Sequence, residues 1–320
     1  MKKQKQELSR RDFLKDAAIG AGALVFGRGV LRAAEQSGGK PLRLGGQVFE
    51  KCSSPGEWAA AVKRLGYRAA YCPIEAKEPD EVVKAYEEAA KKEDIVIAEV
   101  GAWGNNPVCP DEKTRKDSIA NCQKQLALAE RIGANCCVNV SGSRNPKSWA
   151  GQHGDNLTNE TFEMIVESVR TIIDGVKPTR TFYTLETGMW WYPESADSYL
   201  RLIKAIDRKQ FGVHLDPTNL IYSPPLYYSN GKVISECFEK LGPMIKSCHA
   251  KDVKLGQGAL AHLDEIRPGL GGLDYKTFLK ELSKYPDVPL MIEHLKGAEE
   301  YSQAADYIRG VAKEVGVSFG

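Results

Sequence analysis

The chain has 320 residues, with 44 Lys+Arg against 42 Asp+Glu, a formal net charge of +2, and 42% hydrophobic residues. The first 34 residues hold eight Lys+Arg and three Asp+Glu, so the rest carries 36 basic and 39 acidic residues, a net of −3. Without that first segment no basic stripe is left to bind nucleic acid, and about 280 residues suit one large α/β domain with a full core.

In chain order, the N-terminus is a separate element. Ser9-Arg10-Arg11-Asp12-Phe13-Leu14-Lys15 follows a basic, polar start and precedes a mildly apolar stretch at 17–26. Ala33 and Ala34 offer small residues for cleavage, although Arg32 interrupts a small-x-small pattern. Residues 1–34 resemble a bacterial twin-arginine export signal, with 35–40 a short linker and 41–320 the folded domain. The resemblance implies the twin-arginine export machinery as a partner. It also implies a periplasmic or exported protein, anchored to the membrane if the signal stays uncleaved. The apolar stretch itself is too short and too glycine-rich for a good membrane span.

From Pro41 onward, strand and helix signals alternate. Strands are predicted at 42–49, 69–74, 95–100, 136–140, 182–186, 211–215, 245–249 and 290–293. Helical patterns lie between them at 55–65, 79–92, 111–132, 158–174, 195–207, 233–241, 275–284 and 298–315. Ser54-Pro55, Glu78-Pro79 and Pro110-Asp111 are start signals, and Gly66 and Gly133 mark ends. Strict alternation of eight strands with eight helices predicts a single α/β domain, a closed (β/α)8 TIM barrel. No GxGxxG or Walker loop supports an open doubly wound sheet. The connections at 101–110, 141–157 and 251–272 are longer than a compact barrel needs, with 222–231 a fourth candidate. All follow strands, where extra length builds a rim around the catalytic face.

Eight cysteines in an exported chain ordinarily suggest disulfides. Cys72, Cys136, Cys137 and Cys248 instead fall inside predicted strands, where a buried free thiol is the commoner role. A disulfide among Cys52, Cys109, Cys122 and Cys237 is the alternative for the rest.

Four consecutive strand segments in the second half each end on a polar side chain: Glu186, Asp216, His249 and Glu293. The gaps between them are 30, 33 and 44 residues, each room for one helix and the next strand. A barrel gathers such strand ends at one mouth, where its active site lies. Three carboxylates and an imidazole there would bind one divalent cation and leave positions open for substrate. His214 and Lys251 share the strand parity of Asp216 and His249, which makes each a candidate for contact with substrate. A core histidine and a simple Lys251–Asp252 pair are the structural alternatives. Asn139, ending the fourth strand, is a candidate for a sugar hydroxyl, while His294 has the opposite parity to Glu293 and is expected against the outer helices. Trp103 and Trp190, on loops after the third and fifth strands, are candidates to pack on a sugar ring.

The motifs LETG (185–188), HLDPTN (214–219), CHAKD (248–252), RPGLGGLD (267–274) and IEH (292–294) resemble the sugar phosphate isomerase/epimerase family, whose members have a xylose isomerase-like barrel. The resemblance covers roughly residues 42–316. It implies Glu186, Asp216, His249 and Glu293 as ligands to Mn²⁺, with Mg²⁺, Co²⁺ or Zn²⁺ as the other cations of the family. It also implies Glu186 and Glu293 as the pair that removes a proton beside a sugar carbonyl and returns it through an enediolate. Arg267 begins the glycine-rich loop where relatives place an arginine on substrate. Many family epimerases carry a histidine three residues after the strand-six aspartate, and Asn219 stands there in this chain. Asparagine hydrogen-bonds but does not titrate, so direct transfer of ketose 3-epimerase activity is weakened.

With no Arg/Lys phosphate clamp, the expected substrate is an unphosphorylated sugar or keto-sugar, isomerised or epimerised. A lyase or dehydratase acting on a keto-sugar, keto-glycoside or inosose is the alternative. A non-catalytic sugar-binding protein is the alternative of a different class. The five histidines are too few for the trinuclear zinc site of endonuclease IV-like barrels. The family's habit of forming dimers or tetramers implies a homo-oligomer.

Overall fold

The computed structural model describes residues 40–320, so the export-signal segment at 1–34 lies outside the described residues. Ten strands and nine α-helices are present there: β1 (Arg43–Gly45), α1 (Pro55–Arg64), β2 (Ala69–Tyr71), α2 (Asp80–Lys92), β3 (Val96–Gly101), α3 (Glu112–Ile132), β4 (Cys136–Asn139), α4 (Asn159–Val176), β5 (Phe182–Glu186), α5 (Ala196–Ile206), β6 (Phe211–Leu215), α6 (Pro224–Tyr228), α7 (Asn230–Leu241), β7 (Ile245–Ala250), β8 (Asp252–Leu255), β9 (Leu263–Ile266), α8 (Tyr275–Leu282), β10 (Pro289–Ile292) and α9 (Ala298–Glu314). Parallel pairing runs β1-β2-β3-β4-β5-β6-β7-β10 and closes through β10 on β1. The expected TIM barrel is the observed fold.

Local chemistry explains most boundaries. Ser54 accepts a hydrogen bond from Glu57 N and Pro55 takes the first turn of α1, where a missing N–H costs nothing. Asp111 caps α3 through Thr114 N at 2.7 Å, and Gly133 ends that helix in the left-handed conformation. Ser195 and Ser198 form a reciprocal capping box on α5. Along α4 the buried side chains Phe162, Ile165, Val166, Val169, Ile172 and Ile173 recur at helical spacing, so one stripe faces the barrel. The main apolar core is this layer between strands and helices. Ala69, Ala98 and Met291 form a separate small cluster with Tyr71 packed against it.

Two features differ from the sequence expectation. The first strand is shorter than 42–49, because the paired register stops at Gly45. The connection 251–272 is not a plain loop: β8 and β9 pair antiparallel within it as a hairpin rising from the end of β7. All eight cysteines are free thiols, which removes the disulfide alternative. Among the described residues, no helix is long and apolar enough to cross a membrane.

Gly45 sits on β1, between β2 and β10, where the barrel closes. A Cβ there would lie 2.5 Å from Ala69 O and 2.5 Å from Met291 Sδ. Gly45→Ala therefore forces β1 from β2 and is expected to cost about 1–3 kcal/mol of stability. Gly56→Ala, at an open position in α1, should cost nothing. Equal urea midpoints for the two variants would contradict this reading of the closure.

Candidate metal centre

Four side chains reach one point at the C-terminal mouth of the barrel. Glu186 is the last residue of β5, Asp216 follows β6, His249 is the penultimate residue of β7, and Glu293 follows β10. Parallel register sets their heights, pairing Glu186 with His214 and Met291 with His249. One ligand atom from each of Glu186, Asp216, His249 and Glu293 lies within 4.8 Å of the other three. His249 Nδ1 is 2.9 Å from both Glu186 Oε1 and Glu293 Oε2.

The local backbone is built to hold these groups. Thr218 N donates to Asp216 Oδ1 at 2.9 Å, turning Oδ2 toward the centre. Asp216 N donates to Thr187 Oγ1, whose hydroxyl donates back to Asp216 O, and so β5 and β6 are tied just beyond their ends. The Lys251 ammonium, itself buried, lies 2.9 Å from Asp216 Oδ2, 3.0 Å from Glu293 Oε2 and 3.5 Å from Glu186 Oε1. Asp216 Oδ2 and Glu293 Oε2 are at ion-pair distance from it, yet neither accepts a directed hydrogen bond.

Electrostatics follow from this crowding. Burial opposes ionisation of Glu186, but Lys251 and His249 outweigh it and hold the carboxyl at about 2. Burial likewise opposes ionisation of Glu293, and His249 and Lys251 bring it well below the usual range. Asp216 is pushed up to about 6 by burial, which Lys251 only partly offsets while Glu186 adds to the rise. His249 and Lys251 both rise well above their ordinary values, since the surrounding carboxylates overcome burial. The pocket therefore demands positive charge. Its donor set, carboxylate oxygens plus one imidazole, fits a hard or borderline divalent cation such as Mn²⁺ or Mg²⁺. The orphaned oxygens of Asp216 and Glu293 are donors available to it.

A model of the xylose isomerase-like TIM barrel family matches residues 59–311. The chain belongs to that family. Solved xylose isomerase-like barrels share its fold at low identity. D-psicose 3-epimerase with D-tagatose, from Clostridium cellulolyticum H10, is 16% identical, with 84% of this chain and 99% of that one covered and a TM-score of 0.61. A Mycobacterium smegmatis xylose isomerase-like barrel in complex with magnesium is 17% identical, covering 86% and 96%, with a TM-score of 0.59. The probable 3-DHS dehydratase of petrobactin synthesis from Bacillus anthracis is 13% identical, covering 85% and 98%, with a TM-score of 0.63. No curated protein matches the chain significantly by sequence.

The other residues singled out in the sequence divide in two. Trp103 packs over Gly101 with its ring 6.4 Å from the His249 ring, and Asn219 Nδ2 donates to Glu186 Oε1 at 3.4 Å and to Thr187 O at 3.1 Å. His214 lies wholly buried beneath His249, rings 4.1 Å apart and nearly perpendicular. Arg267 follows β9, where its guanidinium donates to Pro268 O. Trp190 is 45% exposed and is held by its carbonyl, which accepts from Asn156. It is the neighbouring Trp191 whose indole donates to Glu186 O.

Three expectations are corrected. Asn139 turns its amide to Asn105 O and Cys122 Sγ, toward α3 and away from the four ligands, because the side chain leaves the outer face of β4. Lys251 does not pair with Asp252. That carboxylate instead accepts four backbone N–H bonds, from Val253, Gly269, Gly271 and Leu273, and so organises the glycine-rich loop. A Cβ on Gly271 would meet Asp252 Oδ1, which explains the glycine there. His294 is not against the outer helices. Strand parity ends at Ile292, and a left-handed backbone, φ 59°, swings His294 to the rim. There its Nδ1 is 2.9 Å from Glu265 Oε1 and its Nε2 is 3.4 Å from Glu293 Oε1.

Glu99 and Glu265 are the site residues the sequence reading missed. The one sequence signal for Glu99 is a carboxylate inside the apolar run Ile95–Val100. Glu265 was hidden in a stretch read as loop. A cavity of about 290 Å³ beside the ends of β1 and β2, lined by Trp58, Tyr71, Cys72 and Tyr86 among others, includes none of the four ligands.

Two outcomes are expected from this geometry. Mn²⁺ or Mg²⁺ at a hundred times its dissociation constant should stabilise the protein by about 2.7 kcal/mol. Asp216→Asn or His249→Ala should remove that gain, as read by thermal melts and calorimetric titration. An equal gain in both variants would place the cation elsewhere. The second concerns His214, whose pKa burial and the neighbouring His249 push down from 6.5 to about 4. The unfolded chain then binds the extra proton between those values, so this group's stabilisation is full above pH 6.5 and is lost as pH falls toward 4. The loss is at most about 3 kcal/mol. Asp216 contributes with the opposite sign over part of that window, so the difference between the parent and His214→Gln in urea titrations at pH 7 and pH 4 isolates His214. A constant difference would show that His214 is not held neutral.

Proposed function

We propose that this chain is a divalent-cation-dependent isomerase or epimerase of an unphosphorylated sugar or keto-sugar. The observation that carries the reading is the placement of Glu186 and Glu293. They approach the same His249 nitrogen from β5 and from the end of β10, at 2.9 Å each. Two carboxylates on either side of one buried point can serve opposite faces of a sugar carbon. A bound divalent cation would polarise the sugar carbonyl and lower the barrier to losing the adjacent C–H proton. One glutamate takes that proton, and the other, carrying a proton, delivers it to the opposite face or the neighbouring carbon. Asp216 and His249 serve as ligands, Lys251 balances the carboxylates, and Trp103 closes the side of the site over His249. Mn²⁺ is the cation we propose, and export through the twin-arginine pathway is proposed from residues 1–34.

Asn219 favours a second reading. It occupies the position of a titratable histidine in many epimerases of the family and supplies only a hydrogen bond, to Glu186. A site that abstracts the same proton without returning it efficiently would expel a β-leaving group, as a lyase or dehydratase does. That branch shares its fold with the Bacillus anthracis dehydratase.

Sugars, keto-glycosides and inososes incubated with Mn²⁺ in deuterated water should show deuterium uptake beside the carbonyl by NMR. Glu186→Gln and Glu293→Gln should each reduce exchange by about 10³-fold or more. Full exchange in either variant would remove that glutamate from the proton-transfer role. Products of β-elimination would favour the lyase, and tight binding without exchange would favour a sugar-binding protein.

A further inference from the structure

Beneath the ligands lies a further buried carboxylate that the proposed chemistry does not use. Glu99, on β3, is 2% exposed. Its Oε1 is 3.1 Å from His249 Nε2, and its Oε2 accepts from Ser247 Oγ at 3.0 Å and lies 3.5 Å from His214 Nδ1. The opposite ring nitrogen of His249, Nδ1, is the one that faces Glu186 and Glu293. Glu99 and the ligand carboxylates thus grip the two ends of one imidazole.

We propose that Glu99 is a positioning residue, which accepts the Nε2–H of His249 and thereby presents the Nδ1 lone pair to the cation. An imidazole offers either nitrogen to a metal, and the hydrogen bond at the other nitrogen decides which one. Here the wall opposite Nδ1 supplies one acceptor in line with Nε2. Ser247, two residues before His249 on the same strand, donates to that acceptor and fixes its rotamer. His214 fills the space beside both, its ring against the His249 ring at 4.1 Å. The ring of His249 therefore has one orientation in which Nε2 has a partner and Nδ1 faces Glu186 and Glu293. Rotation by half a turn about Cβ–Cγ would put Cε1–H where Nε2–H meets Glu99 and Cδ2–H where Nδ1 faces Glu186 and Glu293. The inference rests on reading the four-residue cluster as the metal centre.

The test uses the full chain, Zn²⁺ as a diamagnetic probe, and long-range ¹⁵N–¹H spectra of ¹⁵N-histidine protein. The His249 signal is assigned by its absence in His249→Gln. In the parent, His249 should carry a slowly exchanging Nε2–H, with and without Zn²⁺. Glu99→Leu should lose that slow exchange and weaken Zn²⁺ binding by about 10- to 100-fold. Glu99→Gln, whose amide oxygen still accepts from Nε2–H, should restore the spectrum and bind within about tenfold of the parent. Ser247→Ala, a milder change for the case in which Glu99→Leu does not fold, should loosen the ring and weaken Zn²⁺ binding by a smaller factor. Parent-like Zn²⁺ affinity in folded Glu99→Leu, or an Nδ1–H on His249 in the Zn²⁺-bound parent, overturns the inference. A second equivalent of Zn²⁺ that removes the Nε2–H does so as well, because the Glu99–His214–His249 group would then itself be a metal site. A parent that binds no Zn²⁺ overturns the metal-centre reading instead, and the metal-free spectra still decide whether Glu99 sets the ring.

Discussion

The structure turns on a concentration of buried negative charge at one end of the barrel. Glu186, Asp216 and Glu293 bring carboxylate oxygens within 4.8 Å of one another, in a place that little water reaches. Carboxylates this close and this buried stay ionised only against positive charge. Lys251 and His249 supply part of it, each held protonated by the groups it neutralises. The same demand for positive charge suits the site to the divalent cation proposed for it.

The scaffold meets that demand by distributing it over many strands. Each ligand stands at or just beyond the end of a different strand, so none depends on a long loop for its position. Loops then add the finer support. Thr187 and Thr218 tie the ends of β5 and β6 around Asp216. Asp252, next to Lys251, accepts from three backbone N–H groups of the glycine-rich loop and from Val253 N on β8, and so ties that loop to the β8–β9 hairpin beside the mouth. Glu265 on that hairpin reaches His294 at the rim and lies 3.8 Å from Lys251. A barrel interior with small residues near Gly45 and larger polar ones near the mouth lets β1, β2 and β10 close tightly beneath the site.

Much of this was legible in the chain. Strand segments of apolar residues ending in Glu186, Asp216 and His249 announced both the period of the fold and the chemistry of its mouth. The start signals at Ser54-Pro55, Glu78-Pro79 and Pro110-Asp111 placed helix starts within a residue or two. Legibility failed where the regular periods end. Parity arguments put His294 outside, but one residue past β10 the backbone turns left-handed and parity no longer applies. Position at the end of the fourth strand made Asn139 a candidate for the site, whereas its amide faces α3. The alternative of a Lys251–Asp252 pair fails because alternation sends the two adjacent side chains to opposite sides.

The sequence by itself determined the alternation of strands and helices, the closed barrel, and the identity of four groups that meet at its mouth. Those are consequences of local periodicity and of spacing, which the chain carries in full. Tertiary structure alone decided the rest. It placed the Lys251 ammonium among the carboxylates, set Glu99 behind the imidazole of His249, and sent Asn139 elsewhere. Glu99 and His249 are 150 residues apart, and their contact exists only because the barrel brings β3 across from β7. Distances of about 3 Å between groups so remote in sequence depend on strand register and barrel closure, and no local pattern encodes them.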